Sequence, residues 1–203
     1  MKTILSIAVL AAVAAANANI INGDFSSGNT GFSSDYSTGS LYDPAIYGVG
    51  TNPNDFHSSW ASFGDHTTGN GNMLIVNGGS VADDASKDFW KSSDTLSQGL
   101  YQFSFYAASS YPESPAKIQL LVNGNVIGDT GTLSSTTGDW TKYSFAFTAS
   151  SGVNSFSLRD LDTHFSGNDF AVDDINVQAV PEPTSMAALG LGALGILKRR
   201  KKA

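Results

Sequence analysis

The chain of 203 residues carries a net charge of −7 and no cysteine, with 21 glycines, 12 phenylalanines and seven tyrosines. Between Asn19 and Gln178 five cationic residues face 17 acids, a net charge of −12, because Lys2, Lys198, Arg199, Arg200, Lys201 and Lys202 lie at the two ends. Such a body repels phosphate backbones, which excludes nucleic-acid binding; disulfides are impossible, and a hydrophobic share of 41% excludes wholesale disorder.

In chain order, Met1-Lys2-Thr3 is a short positive segment, Ile4 to Ala15 is apolar, and Ala16-Asn17-Ala18 offers small residues at both positions of an A-x-A site. This pattern predicts a signal peptide over residues 1–18, cut by signal peptidase between Ala18 and Asn19. Residues 19–179 then form one domain. Its signals are period-two alternation, the mark of strands half-facing a core. Strands are predicted at Met73–Val76, at Lys87–Trp90, and along Tyr101, Phe103, Phe105 and Ala107. Ile118, Leu120 and Val122 make another inward row, followed at once by Asn123-Gly124 and Val126-Ile127. That dipeptide suits a type I′ hairpin. Tyr143, Phe145 and Phe147, then Ser155–Arg159 and Phe170–Val177, complete the set. No window between the ends shows a 3.6-residue period. The expected fold is all-β, a two-sheet antiparallel jelly-roll sandwich.

Three short motifs sharpen this expectation. They are Ile21-Asn22-Gly23-Asp24-Phe25, then Asp65-His66-Thr67-Thr68-Gly69-Asn70-Gly71-Asn72, and Gly167-Asn168-Asp169-Phe170-Ala171-Val172-Asp173-Asp174-Ile175. Together they resemble the galactose-binding-like jelly rolls, including family 4/9/22-type carbohydrate-binding modules and, more distantly, MAM adhesion domains. The resemblance implies a structural Ca2+ where the first and last strands meet, held by Asp24, Asp65 and either Asp173 or Asp174. Calcium takes six to eight oxygens and would relieve the repulsion among clustered carboxylates. Phe170 and Val172 set one inward parity and Ile175 and Val177 the other, a conflict that a β-bulge between them would resolve. The alternative reading is that Asp24 and Asp65 cap turns.

Asp160, Asp162, His164, Asn168 and Asp169 form a second acidic stretch without the EF-hand pattern, read as a solvated loop. A sugar site needs aromatic platforms, for which Trp60 and Trp90 are the main candidates and Tyr106 and Tyr111 the others. Trp140 is read as core. No nucleophile elbow, His-Glu-x-x-His or phosphate loop is present, and the sequence predicts no enzyme.

The chain closes with Pro181-Glu182-Pro183, an apolar run from Met186 to Leu197 and five consecutive cations. As a helix the run would span about 18 Å, a short transmembrane segment whose basic end stays cytoplasmic. Residues 180–203 resemble the PEP-CTERM sorting signal of Gram-negative bacteria. That resemblance implies recognition and cleavage by an exosortase, with transient anchoring in the inner membrane and release to the cell surface. It also implies a setting in an exopolysaccharide or biofilm layer. The expected protein is a non-enzymatic surface or matrix module. A carbohydrate-binding lectin-like module is the first alternative, and a polysaccharide-acting hydrolase the second.

Overall fold

The computed structural model describes residues 20–40 and 42–181. The expected signal peptide with Ala18 and Asn19, and the tail from Glu182 and Pro183 onward, lie outside those residues. Among the described residues no helix is long and apolar enough to cross a membrane.

Among the described residues, alternating aromatic and β-branched residues separated by turn formers produce ten strands. They are β1 (Ser37–Thr38), β2 (Ile46–Gly50), β3 (Met73–Asn77), β4 (Asp88–Leu96), β5 (Gly99–Ser109), β6 (Lys117–Val122), β7 (Asn125–Thr132), β8 (Thr141–Ala149), β9 (Gly152–Asp160) and β10 (Asp169–Ala179). One sheet has the order β1-β2-β3-β10-β5-β8 and the other β4-β9-β6-β7. The short β1–β2 pair is parallel and the remaining pairings are antiparallel. The result is the two-sheet jelly-roll sandwich. The hairpin between β6 and β7 turns on Asn123 (φ 52) and Gly124 (φ 75), the left-handed pair that a type I′ turn requires.

The core between the sheets follows the predicted inward rows. Phe103 and Phe105 of β5, Ile118 and Leu120 of β6, Phe156 and Leu158 of β9, and Phe170 and Val172 of β10 are all buried there. Trp90 lies among them at 1% exposure, its ring 6.0 Å from that of Phe103. Each such side chain contributes about 1.5–3 kcal/mol through burial alone.

A second, smaller apolar layer covers the outer face of the six-stranded sheet. Here Trp60 packs on Met73, Ile75 and Ala171, with Phe56, Phe63, Tyr111 and Trp140 half-buried around them. The connection from β2 to β3 brings Trp60 there. It opens with a single helical turn, α1 (Pro53–Phe56), where Pro53 fits the first turn and the Asn52 side chain accepts the Asn54 N–H. Trp140, read as core from the sequence, is half-buried in this outer layer, and its indole donates to the Gly64 carbonyl at 3.1 Å.

The parity conflict in β10 is resolved as expected. Its register against β5 shifts between Asp173 and Asn176, and Asp174 takes φ 50. Phe170 and Val172 before the bulge and Ile175 and Val177 after it therefore all face the main core. The bulge is also where the N-terminal motif docks. The Ile175 N–H donates to the Gly23 carbonyl at 2.8 Å, and a Cβ on Gly23 would stand 2.0 Å from the Ile175 oxygen. Glycine is needed at 23 for that approach.

Candidate functional site

Two places on the outer face of β10 gather polar side chains. The first lies at the bulge. Asp65 starts a turn in which its carboxylate accepts the N–H of Thr68 at 2.9 Å and of Gly71 at 2.7 Å, together with the Thr68 hydroxyl. Burial opposes ionisation of Asp65, but these donors hold its carboxyl below the usual range. The turn thereby aims His66 and Thr67 at β10. Asp173 Oδ2 accepts the His66 N–H at 2.9 Å, the Thr67 N–H at 3.1 Å and the Thr67 hydroxyl at 3.1 Å. Asp174 meets His66 Nδ1 at 2.6 Å and accepts the Thr67 hydroxyl at 2.7 Å. The His66 ring stacks on Tyr106, with centroids 3.4 Å apart. Burial pushes the Asp173 carboxyl up to about 6; the adjacent Asp174 charge adds to this and the N–H donors oppose it.

Of the four predicted calcium ligands, the structure thus brings Asp173 and Asp174 together with His66 and Thr67. Asp65 serves its own turn. Asp24 accepts the Ser26 N–H and hydroxyl at 3.2 and 2.9 Å, and borders an open depression shared with Asn22, Gly23, Asp174 and Ile175. The oxygens of Asp65, Asp173 and Asp174 point at protein donors rather than at one another. Among the described residues no group of three His, Asp or Glu is arranged to hold a metal ion. What the geometry provides is a hydrogen-bonded pin between the 65–71 turn and the last strand.

The second place is a cleft at the start of β10, with a volume of about 200 Å³. Tyr42, His57 and Trp60 form a ladder of rings along one wall, with centroid separations of 4.1 and 4.9 Å. Tyr111 and Phe165 add further aromatic surface, and Asn77, Ser166 and Asp169 supply polar atoms. Phe165 is 76% exposed, whereas Asp169 is 6% exposed. Burial pushes the Asp169 carboxyl up to about 7, with the Trp60 indole working in the opposite direction as a hydrogen-bond donor.

The sequence placed Asp160, Asn168 and Asp169 in a solvated loop, and the structure corrects this. Asp160 and Asn168 are fully buried, because Asp160 continues the inward parity of Asn154, Phe156 and Leu158. Asn168 ties the loop closed by donating to the Gly79 and Asp162 carbonyls at 3.0 Å each. Of the two main platform candidates, Trp90 offers no open face, being enclosed in the core. Trp60 lines the cleft, yet at 4% exposure it is part of the floor. Sequence reasoning missed the exposed ring of Phe165 and the roles of His57 and Asp169, which no local motif marks.

The PEP-CTERM protein-sorting motif matches residues 179–202. No curated protein matches the chain. Among solved structures, the Stig cyclase Fisc from Fischerella sp. TAU, in complex with (3Z)-3-(1-methyl-2-pyrrolidinylidene)-3H-indole, is similar with a TM-score of 0.59. It has 12% identity, over 83% of this chain and 99% of that one. The N-terminal CBM22-1-CBM22-2 tandem domain of Paenibacillus barcinonensis Xyn10C is similar with a TM-score of 0.55. It has 13% identity, over 85% of this chain and 49% of that one. At such identities the likeness is one of fold. The chain therefore joins a PEP-CTERM sorting motif to a jelly-roll domain, a fold similar to that of both a cyclase and a carbohydrate-binding-module tandem.

Proposed function

We propose that this exported, PEP-CTERM-sorted chain is a non-enzymatic saccharide-binding module of the cell surface or extracellular matrix, and that the cleft beside Asp169 is its binding site. An exosortase processes the tail, signal peptidase the N-terminus, and exopolysaccharide is the partner class. The observation that carries this reading is the cleft itself, where aromatic rings flank a few fixed polar groups. Sugar rings present apolar faces and a rim of hydroxyls, and such a surface answers both.

A hydrolase is disfavoured by the same lining. Glycoside hydrolysis ordinarily uses two carboxyl groups across the scissile bond, and Asp169 is the one acid among the described residues lining the cleft.

The test is binding of the full chain to a broad glycan array, repeated with Phe165→Ala. Phe165 is largely exposed, so its removal leaves the fold intact. Specific binding weakened about tenfold by that change supports the reading. Silence across the array overturns it. Intact mass of the protein recovered from its native host reports whether both ends are cut.

A further inference from the structure

The cleft holds an acid that no cationic side chain answers. Asp169 is buried against the floor, and neither lysine nor arginine is among the described residues lining the cleft. The domain's five cations are engaged elsewhere: Lys87 with Asp84, Lys91 with Asp35, Lys117 with Asp129, Arg159 with Asp88, and Lys142 over the Tyr106 ring. His57 is stacked between Tyr42 and Trp60, and its Nδ1 accepts the Ser59 N–H, which leaves that nitrogen without a proton. A carboxylate held out of water needs a partner of opposite sign, and aromatic faces attract cations as well. A neutral saccharide would satisfy the rings but leave the carboxyl holding the proton that its burial favours, with no ion pair formed.

We infer that the cleft selects a cationic saccharide, a sugar carrying a protonated amine, whose ammonium sits against Asp169 while its ring lies on the aromatic wall. This inference rests on the saccharide reading above and adds the charge of the ligand to it. Binding then exchanges the proton that burial keeps on Asp169 for the ammonium of the ligand. The N-acetylated form of the same sugar lacks that charge and makes the ring contact alone.

The experiment is titration calorimetry of the full chain with a glucosamine tetrasaccharide and with its fully N-acetylated counterpart. The amino form is expected to bind at least about tenfold more tightly. Asp169→Asn, similar in size, should bring the two affinities within about twofold, and Phe165→Ala should weaken both. Asp139→Asn, an exposed acid that does not line the cleft, controls for general attraction to an acidic protein and should leave the preference unchanged. Equal affinity for the two forms in the wild type overturns the inference and leaves the saccharide reading standing. So does a preference that survives Asp169→Asn. If neither form binds, and neutral oligosaccharides also fail, the inference and the saccharide reading fall together.

Discussion

Asp169 and Asp173 stand on one outer face of β10, Asp169 opposite Asn77 of β3 and Asp173 opposite Tyr106 of β5. Four residues of extended chain separate them by about 13 Å. Between them Ala171 lies under Trp60, Met73 and Ile75. The two carboxyls thus mark the ends of one covered apolar strip, with an open cleft at one end and a closed pin at the other. Burial raises both. Asp173 accepts from His66, Thr67 and Asp174 of its own chain, whereas Asp169 has the Trp60 indole as its donor.

That difference sets the expectation for the pin. Asp173→Ala would leave the His66 and Thr67 N–H groups without their acceptor, and should cost about 2–4 kcal/mol in urea unfolding. Asp24→Ala, which removes a turn cap at the surface, should cost roughly 1 kcal/mol or less. Because the carboxylates are satisfied by protein donors, the melting temperature should be the same, within about 1 °C, in calcium and in chelator. A rise of several degrees with calcium, lost on Asp24→Ala, would instead support the expected metal clamp of Asp24, Asp65 and either Asp173 or Asp174.

Asp160 makes stability depend on pH. Its Oδ1 accepts the Asp162 N–H at 3.0 Å, while its Oδ2 and the nearby Asn168 Oδ1 are buried without a hydrogen-bond partner among the described residues. Burial is the main cause that pushes the Asp160 carboxyl up to about 8, and the Asp162 charge adds to it. The unfolded chain releases this proton near 3.8, so between those values the folded state binds more protons than the unfolded one. Stability therefore falls as pH rises across that window and is unaffected by this group below it, with a total on the order of 5 kcal/mol. Asp160→Asn should flatten the profile and make the variant more stable than the wild type at pH 9. Parallel profiles in denaturant titrations from pH 4 to 9 would refute this account.

The two tryptophans separate stability from binding. Trp90→Ala should open a cavity between the sheets and cost about 3–5 kcal/mol, while protein that stays folded keeps its ligand affinity. Trp60→Ala removes part of the cleft floor, and should abolish glycan binding as well as loosening the outer layer. Circular dichroism melts paired with binding isotherms distinguish these outcomes.

The fold was largely legible because a strand between two sheets has to alternate. Each inward row named from the sequence, from Tyr101 to Val177, is a consequence of that period. The bulge was legible for the same reason, as a clash between two parities within one strand. The cleft was not legible. Tyr42, His57, Trp60, Phe165 and Asp169 come from three separate segments, and a sequence shows spacing along the chain rather than distance across a sheet. Asp160 misled for a different reason. A carboxylate in a polar stretch reads as solvated, and only continuing the count from Asn154 would have turned it inward.

The sorting motif begins at residue 179, the last residue of β10, so no spacer divides it from the fold. β10 is bonded along both sides, to β3 and β5, and the Val180 N–H still donates to the Leu100 carbonyl at 2.9 Å. Tension applied through the tail would load that ladder in shear, where the bonds must yield together rather than peel one by one. A domain towed by its final strand in this way is mechanically well coupled to whatever grips its end.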